Sequence, residues 1–425
     1  MNYQEARKYI EQAHIYGSVL GLDNIRELLR RLQNPQDKLA FIHLAGTNGK
    51  GSVMAFLSTI LQESGYVVGR YISPAVFSYR ECIQVNQENI EKDVFARLLT
   101  QIAEVVFQMQ KDGFMHPTVF EMETVLGFLY FAERQCDLVV LETGLGGTLD
   151  ATNVVTNTMM AIITPIAMDH MQFLGNSLSE IARNKAGIIK PKSKVVSAPQ
   201  QAAALTVLKQ TCKEQQSTLT IVNHEDIYDI VYGYEEQRFS YKAGKDLKIS
   251  LAGVHQIENA ALAVEAVRQL RELNYKIDEK ALRLGLAHTV WNGRFTIIRK
   301  EPLFIIDGAH NPAAADVLKK SLQMYFTNRR IFYIIGILGD KEYEKIIRLM
   351  VPLAHHIITV GTTIGERAFS SEQLERVVKQ HHLSVESAKD IETAVAKGLQ
   401  RAKKDDVIVA FGSLSFLGEV KRLID

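Results

Sequence analysis

The fold is decided by residues 39–52, which read LAFIHLAGTNGKGS. The apolar first half has the length and composition of a buried strand, and a helical pattern follows from about Gly51 to Glu63. The glycines between them let the chain turn tightly, so that successive backbone N–H groups point at phosphate oxygens. The positive end of the helix and the charge of Lys50 favour an anion at the same place. This strand, turn and helix therefore predict a phosphate-binding loop that opens an α/β domain.

The loop is an irregular example of the nucleotide-binding pattern G-x-x-x-x-G-K-[ST]. Leu44 stands where the first glycine belongs, and Gly51 separates Lys50 from Ser52. A strand-turn-helix junction without a ligand would also use glycine, so the loop alone favours a mononucleotide without naming the reaction. The residues that it would wrap around the nucleotide are Gly46, Thr47, Asn48, Gly49, Lys50, Gly51 and Ser52.

The rest of the chain alternates short apolar runs with longer amphipathic segments, a pattern typical of α/β folds with largely parallel sheets. Residues 226–251 instead carry short alternating segments with glycines, which predict hairpins inserted into the first domain. Residues 288–294 have no strong period and are the best candidate for a linker. We therefore predict an N-terminal P-loop-type mononucleotide-binding domain with a mostly parallel sheet, residues 1–290, and a smaller C-terminal Rossmann-like α/β domain, residues 291–425.

Individual elements follow from the same patterns. Helices are predicted over residues 92–111, 120–134, 255–273 and about 279–287. Further strands are predicted over residues 66–72, 138–141, 159–164, 304–306, 331–335, 356–360 and 407–411. Several of these strands are followed by a polar residue, and those residues are the candidates for a site.

Composition limits the classes of protein to consider. Of the 425 residues, 47% are hydrophobic and 23% are charged, and the net charge is +1, so no basic surface for nucleic acid or an anionic membrane is indicated. The N-terminus is polar, and no apolar run approaches the roughly 18 residues of a membrane span. The three cysteines are far apart, without the spacing of zinc ligands, which suits a reducing cytoplasm. We expect a cytoplasmic monomer with no nucleic-acid or membrane partner.

Polar residues stand where the predicted strands end. Ser73, Glu142 and the pair Asp169-His170 each follow a predicted strand, and Lys185 comes one helix later. Open α/β sheets bind ligands at the carboxyl ends of their strands, and Mg²⁺ needs only a few protein oxygens beside those of ATP and water. Each residue alone has an ordinary explanation, since most of the 12 histidines will be structural or solvated and a strand-end carboxylate is often simply hydrogen-bonded. Their order behind the phosphate loop favours a metal-dependent phosphoryl-transfer site.

Four segments carry a more specific resemblance: residues 46–52 (GTNGKGS), 142–153 (ETGLGGTLDATN), 169–185 and 307–312 (DGAHNP). In this order and at about this spacing they resemble the folylpolyglutamate synthases of the Mur ligase superfamily, which are often also dihydrofolate synthases. The resemblance covers essentially the whole chain, from Leu20 onward. It implies a ligase that uses ATP and Mg²⁺ to add L-glutamate to the γ-carboxylate of a folate through an acyl phosphate. In bifunctional members it also implies conversion of dihydropteroate to dihydrofolate.

The resemblance also implies roles for individual residues. Ser73, Glu142 and His170 are expected to hold Mg²⁺, and Lys185 is expected to be carbamylated, so that it helps to bind a second metal ion. The nucleotide contacts outside the loop are Asn259, Arg294 and Asp307. The catalytic set comprises Lys50, His170, Lys185, Asp307 and His310. The acid substrate is assigned to Phe120, Glu121, Leu149, Asp150 and Ala151.

Several positions depart from the pattern of the family. Asn24, Cys82 and Thr148 stand where the family has arginine, Ala75 stands where it has histidine, and Asn184 stands where it has glutamate. These changes remove charged donors of the kind that recognise pterin oxygens or a carboxylate. The acid is therefore open, and a ligase for a different carboxylate is an alternative. A non-catalytic nucleotide-binding paralogue is a third hypothesis, which the retained phosphate and metal residues argue against.

Overall fold

The computed structural model describes residues 1–17, 21–362 and 368–425. Leu20, where the resemblance begins, lies outside these described residues. The described chain forms three sheets, of eight, three and six strands. The first two sheets belong to the N-terminal part of the chain, which ends with a helix at His288, and the third belongs to the C-terminal part, which begins with a strand at Thr296.

In the N-terminal part, the described residues form eleven strands and ten α-helices. The strands are β1 (Phe41–Ala45), β2 (Val68–Tyr71), β3 (Ile83–Val85), β4 (Glu88–Asn89), β5 (Leu138–Glu142), β6 (Thr158–Ile163), β7 (Lys194–Ser197), β8 (Thr218–Ile221), β9 (Ile227–Val231), β10 (Gln237–Tyr241) and β11 (Gly244–Ile249). The helices are α1 (Tyr3–Gln12), α2 (Asp23–Arg31), α3 (Lys50–Glu63), α4 (Lys92–Lys111), α5 (Val119–Glu133), α6 (Met171–Leu174), α7 (Leu178–Ala186), α8 (Ala202–Glu214), α9 (Gln256–Glu272) and α10 (Glu279–His288).

The C-terminal part is smaller. Its strands are β12 (Thr296–Lys300), β13 (Leu303–Asp307), β14 (Ile331–Ile335), β15 (Ala354–Thr359), β16 (Val385–Ser387) and β17 (Val407–Phe411). Its helices are α11 (Pro312–Tyr325), α12 (Tyr343–Met350), α13 (Ser371–Lys379), α14 (Ile391–Arg401) and α15 (Leu414–Ile424).

The eight-stranded sheet has the strand order β4-β3-β2-β5-β1-β6-β7-β8. It is parallel from β2 to β8, whereas β3 and β4 run antiparallel at one edge. In its centre Ile42 of β1 lies opposite Val140 of β5 and Met160 of β6. All residues of β1 and β5 are buried, as expected for apolar strands of a parallel sheet that is covered on both faces. The carboxyl ends of β1, β2, β5 and β6 therefore meet at one edge.

Helices cover both faces of this sheet. On one face α3, α9 and α10 pack together with the small sheet β11-β10-β9, in a core that includes Phe56 and Phe239. On the other face α1, α2, α4 and α5 pack around Phe41 and Phe128. The predicted hairpins are confirmed as β9, β10 and β11, which pair antiparallel.

The six-stranded sheet has the order β12-β13-β17-β14-β15-β16 and is parallel except for β12, which pairs antiparallel with β13. Val409 of β17 lies opposite Ile305 of β13 and Tyr333 of β14. The helices α11, α12 and α13 pack on one face, and α14 and α15 pack on the other. The predicted α/β fold with mostly parallel sheets is thus confirmed.

Candidate active site

A cleft of about 380 Å³ lies between the carboxyl edge of the eight-stranded sheet and the C-terminal part of the chain. Its lining combines side chains from both parts. The predicted site residues that line it are Gly46, Thr47, Asn48, Gly49, Lys50, Gly51, Ser52, Ser73, Glu142, His170, Lys185, Asn259, Arg294, Asp307 and His310. Residues that are up to 264 positions apart in the sequence thus share one enclosed space.

The phosphate loop joins β1 to α3 and is fixed from two sides. Gly49 has a φ of +90°, which L side chains rarely adopt, and a Cβ there would lie 2.6 Å from Oδ1 of Asn259. The Thr47 N–H donates to the Pro165 carbonyl at 2.9 Å, which ties the loop to the segment after β6. Lys50 is the first residue of α3, so the positive end of a 14-residue helix opens onto the cleft.

Lys50 and Glu142 face each other across the cleft. Nζ of Lys50 lies 3.7 Å from Oε1 of Glu142 and donates to the Gly46 carbonyl at 3.2 Å. Glu142 is buried at the end of β5, and this burial raises the pKa of its carboxyl, whereas the charge of Lys50 acts to lower it. Because the two groups are further apart than in a short hydrogen bond, both keep capacity for a ligand.

Lys185, near the end of α7, is the most unusual cation of the cleft. Its side chain is buried, and Nζ donates to the same Gly46 carbonyl at 2.8 Å. Burial, reinforced by the charge of Lys50, lowers the pKa of Lys185 to about 7. A large fraction of this amine is therefore neutral near pH 7, and a neutral amine is the form that reacts as a nucleophile.

The four expected metal residues, Ser73, Glu142, His170 and Lys185, line the same cleft. His170 precedes α6 with a φ of +49°, and partial burial lowers the pKa of its imidazole. Among the described residues, no group of three or more His, Cys, Asp or Glu side chains is gathered as a metal site. A hydroxyl and a buried carboxylate nevertheless fit Mg²⁺, which commonly takes most of its oxygens from phosphates and water.

The segment at the end of β13 supplies the opposite wall of the cleft. Asp307 accepts hydrogen bonds from the Phe295 and Ala309 N–H groups, both at 2.8 Å, and burial raises the pKa of its carboxyl while Arg294 acts to lower it. Nδ1 of His310 donates to the Gly308 carbonyl at 2.8 Å. Burial lowers the pKa of His310 to about 4, so its imidazole is neutral at pH 7.

A contact between the two parts of the chain was not foreseen from the sequence. Asn311 caps α11, and its Nδ2 donates to Oδ1 of Asn48 and to Oδ2 of Asp169, both at 3.2 Å. Nζ of Lys341 lies 3.8 Å from Oδ1 of Asp169 and adds an ion pair. The pattern Asn311-Pro312 predicts the start of a helix. Whether the Asn311 side chain contacts the phosphate loop depends on how the two large sheets lie relative to each other, which the pattern does not encode.

The five residues assigned to the acid substrate lie beside the cleft, and none of them is among its described lining residues. The ring of Phe120 packs against Gly144, where a Cβ would lie 2.5 Å from it. Glu121 caps α5 by accepting the Thr118 N–H at 2.8 Å, and Asp150 accepts the Leu145 N–H at 2.6 Å. Leu149 is 46% exposed, and Ala151 is buried. Phe120 and Asp150 thus contact the glycine-rich 144–147 loop, and residues 144–146 of that loop line the cleft.

The positions that depart from the family pattern are occupied by uncharged local contacts. Oγ1 of Thr148 donates to the Asn184 carbonyl at 3.1 Å, and Nδ2 of Asn184 donates to the Leu174 carbonyl at 3.0 Å. Asn24 hydrogen-bonds the carboxylate of Glu121. Ala75 and Cys82 pack against the core beneath the sheet. None of these side chains supplies a cation.

Two family models match the chain. The Mur ligase middle domain matches residues 44–267, and the Mur ligase, glutamate ligase domain, matches residues 293–414. The first match includes the phosphate loop, and the second includes the segment of Asp307.

Other proteins are similar to this chain over nearly its full length. The dihydrofolate synthase/folylpolyglutamate synthase of Bacillus subtilis (strain 168) is 33% identical over 433 residues, covering 99% of this chain and 98% of the relative. The structure of Mycobacterium tuberculosis folylpolyglutamate synthase complexed with ADP has a TM-score of 0.90 at 27% identity, covering 99% of this chain and 98% of the other. Escherichia coli FolC in complex with DHPP and ADP has a TM-score of 0.87 at 28% identity, covering 100% and 98%. Both parts of the chain, in the same arrangement, are thus common to the two solved structures.

Proposed function

We propose that this chain, which belongs to the dihydrofolate synthase and folylpolyglutamate synthase family of Mur ligases, adds L-glutamate to the γ-carboxylate of a reduced folate. As a member of that family it is an ATP-dependent ligase. The observation that carries the proposal is that Lys50, Glu142 and Lys185 lie opposite Asp307 in one cleft. Such a cleft gives a triphosphate and an incoming acid a shared, enclosed space.

The first chemical step activates the acid. A carboxylate is a poor electrophile, because its leaving group would be an oxide. An oxygen of the γ-carboxylate attacks the γ-phosphorus of ATP, the bond to the β,γ-bridging oxygen breaks, and ADP leaves. Lys50 and the N–H groups at the start of α3 stabilise the charge on the transferred group. Bound Mg²⁺ would supply further charge stabilisation on the phosphate oxygens.

The second step forms the amide. The free amine of L-glutamate attacks the carbonyl carbon of the acyl phosphate, loses a proton, and phosphate departs. Water would hydrolyse the acyl phosphate, so the cleft must stay closed during this step. The contacts of Asn311 with Asn48 and Asp169 join the two walls and are suited to that task.

We assign roles to the side chains on the same basis. Ser73, Glu142 and His170 would hold Mg²⁺, and Lys185 would act as a carbamate, which its lowered pKa favours. Asn259, Arg294 and Asp307 would contact the nucleotide, and the neutral His310 would contribute as an uncharged hydrogen-bonding group. Phe120, Glu121, Leu149, Asp150 and Ala151 would act on the acid substrate, and Phe120 and Asp150 would do so through the 144–147 loop that they contact.

The organisation of the chain supports three further proposals. We place the domain boundary between residues 290 and 291, within the stretch that joins α10 to β12. Both walls of the cleft come from one chain, which is consistent with a monomer. A cytoplasmic location suits the three cysteines, all of which are free and buried. Within the described residues, no helix combines the length and the apolar character that a bilayer span requires.

A second activity is favoured by the name of the Bacillus subtilis relative, which covers both synthases. Dihydropteroate carries a benzoate carboxylate that the same two steps would join to glutamate. The reacting groups are equivalent, so one cleft serves both reactions if the acid side accepts both lengths of substrate.

Phosphate release from ATP tests these proposals. The purified chain is assayed with Mg²⁺ and L-glutamate, with tetrahydrofolate or dihydropteroate present or absent. Release that needs both tetrahydrofolate and glutamate is the expected result, and release with dihydropteroate would establish the second activity. Tight ATP binding without acid-dependent release would overturn the ligase proposal for this chain.

A further inference from the structure

The loop of residues 73–82 connects β2 to β3 and carries Ser73 into the cleft. Its ends are joined because the Ile72 N–H donates to the Cys82 carbonyl at 3.0 Å. Cys82 therefore lies at the base of the loop that presents a proposed metal oxygen.

The interior of the loop is organised by one carboxylate. Glu81 accepts hydrogen bonds from the Phe77 N–H at 3.1 Å and the Ser78 N–H at 3.3 Å, and from the Val76 N–H. Val76 and Phe77 pack on the C-terminal core that includes Phe416. The loop thus touches both walls of the cleft, and its orientation affects the Ser73 hydroxyl and the contact between the two parts.

The outer side of the loop is held by a cluster of three residues, Arg7 of α1, Tyr79 of the loop and Glu123 of α5. The guanidinium carbon of Arg7 lies 3.3 Å from the ring centroid of Tyr79, and the Tyr79 hydroxyl donates to Oε1 of Glu123. Burial raises the pKa of Glu123 to about 7, while Tyr79 and Arg7 act to lower it. A carboxylate in such surroundings needs a nearby cation to stay charged.

Arg7 is the cation in this cluster, and Cys82 borders it. Burial, followed by the charge of Glu123, raises the pKa of the Cys82 thiol. The side chain at position 82 is therefore close to the Glu123 carboxylate, and an arginine placed there would also be close to it. Arg7 Nη2 pairs with Glu11 at 3.2 Å on the outer side, but Nη1 is fully buried and has no hydrogen-bond partner among the described residues. Nη2 of the Arg7 guanidinium thus contacts Glu11 at the surface, and the buried Nη1 lies on the side of the cluster.

We propose that Arg7, Tyr79 and Glu123 are positioning residues that hold the 73–82 loop, and with it the Ser73 hydroxyl, at the cleft. Arg7 supplies from α1 the positive charge that this cluster presents to the Glu123 carboxylate. The proposal rests on the proposed function for its effect on catalysis, but its effect on the loop is independent of any reaction.

The test removes the positive charge of Arg7 and then returns a positive charge at position 82. Arg7→Met removes it, and Arg7→Met combined with Cys82→Arg returns a guanidinium from the other side of the cluster. The first measurement is hydrogen–deuterium exchange at the amides of residues 76–78 in the protein without nucleotide or metal. The second is the Mg²⁺ concentration that gives half-maximal glutamate-dependent phosphate release.

We expect faster exchange in Arg7→Met and a Mg²⁺ requirement raised about tenfold, the lower end of the effect of removing an outer-shell partner. The double variant should recover most of both. Arg97→Met, which removes only an exposed pair with Glu133, is the matched control and should match the wild type in both measurements.

Two results would overturn the proposal. One is unchanged exchange and Mg²⁺ requirement in Arg7→Met. The other is a double variant that melts at the wild-type temperature yet recovers neither property. If the double variant does not fold, Tyr79→Phe decides instead, since it keeps the ring but removes the donor to Glu123. Faster exchange in Tyr79→Phe supports the proposal, and wild-type exchange overturns it. A wild-type chain without folate-dependent turnover would refute the proposed function and leave the exchange test intact.

Discussion

The nucleotide side and the acid side of the cleft use charged residues in opposite ways. On the nucleotide side, Lys50 and Lys185 direct their Nζ atoms at the carbonyl of Gly46 and keep capacity for a ligand. On the acid side, the carboxylates of Glu121 and Asp150 already accept hydrogen bonds from their own backbone. A buried charge with capacity left is available to a ligand, whereas one that is saturated by its own chain stabilises the fold. Buried charged residues therefore have different functions on the two sides.

The largest expected effect is that of Lys50→Met. Removing the charge that faces the transferred phosphoryl group should lower kcat by about 10²–10³-fold, while the melting temperature changes little. The measurement is phosphate release at saturating ATP, acid and glutamate. Lys194→Met, which removes a cation paired with Glu272 away from the cleft, is the matched control. If kcat falls no further in Lys50→Met than in the control, Lys50 does not stabilise the transferred phosphoryl group.

A strong pH effect is expected at Lys185. A carbamate forms only from the neutral amine, and the pKa of about 7 means that each pH unit below it lowers the neutral fraction roughly tenfold. In buffer depleted of bicarbonate, activity should be low at about pH 6, where most of the amine is protonated. Added bicarbonate should restore activity near pH 8, where most of the amine is neutral. Native mass spectrometry checks the added CO₂ mass, with Lys185→Arg as the variant that cannot carry it. Full activity of that variant would contradict the role.

A moderate effect on stability is expected for Asp150→Asn. The Leu145 and Thr152 N–H groups donate to this carboxylate. Replacing one carboxylate oxygen by an NH₂ group would place a buried N–H donor opposite another N–H donor, so that neither has an acceptor. We expect a loss of about 1–3 kcal/mol in the free energy of unfolding. Asp137→Asn is the control, because Asp137 is exposed and accepts a single N–H, that of Val67. An unchanged stability together with a raised KM for the acid would show that Asp150 contacts substrate instead.

The smallest effect is expected for Thr148→Arg, which adds a cation where the resemblance predicts one. Thr148 is exposed at the edge of the 144–147 loop, so a new ion pair with the acid would contribute about 0–1 kcal/mol. The KM for the folate should fall by up to about fivefold, with the KM for ATP unchanged. Thr148→Gln is the neutral control, and an equal change in both variants would exclude a charge effect.

Much of the fold was predictable, because long elements have a distinct period. Helix α4 spans Lys92–Lys111 and β14 spans Ile331–Ile335, as their patterns predict. The short strands β3, β4, β7, β8, β12 and β16 were not predicted, since a few residues at or next to a sheet edge show no period of their own. Helix α3 begins at Lys50, one residue before the predicted start, because the turn ends at Gly49.

The site was predictable where function depends on the local backbone. The residues of the phosphate loop are consecutive, and Glu142 is the last residue of a buried strand, so sequence patterns place them at one sheet edge. The contact of Asn311 with Asp169 and the cluster around Tyr79 join elements that are distant in the sequence. Their existence depends on the angle between packed elements, which no local pattern encodes.

The central claim is that one cleft brings the γ-phosphate of ATP to the carboxylate of the acid. It is tested most directly by following oxygen from a tetrahydrofolate whose γ-carboxylate is labelled with oxygen-18, in a complete reaction with ATP and L-glutamate. Attack by the carboxylate on phosphorus predicts that the released phosphate carries one labelled oxygen for each amide formed. Unlabelled phosphate, formed at the same rate as the amide, would contradict the acyl phosphate and with it the account of the cleft.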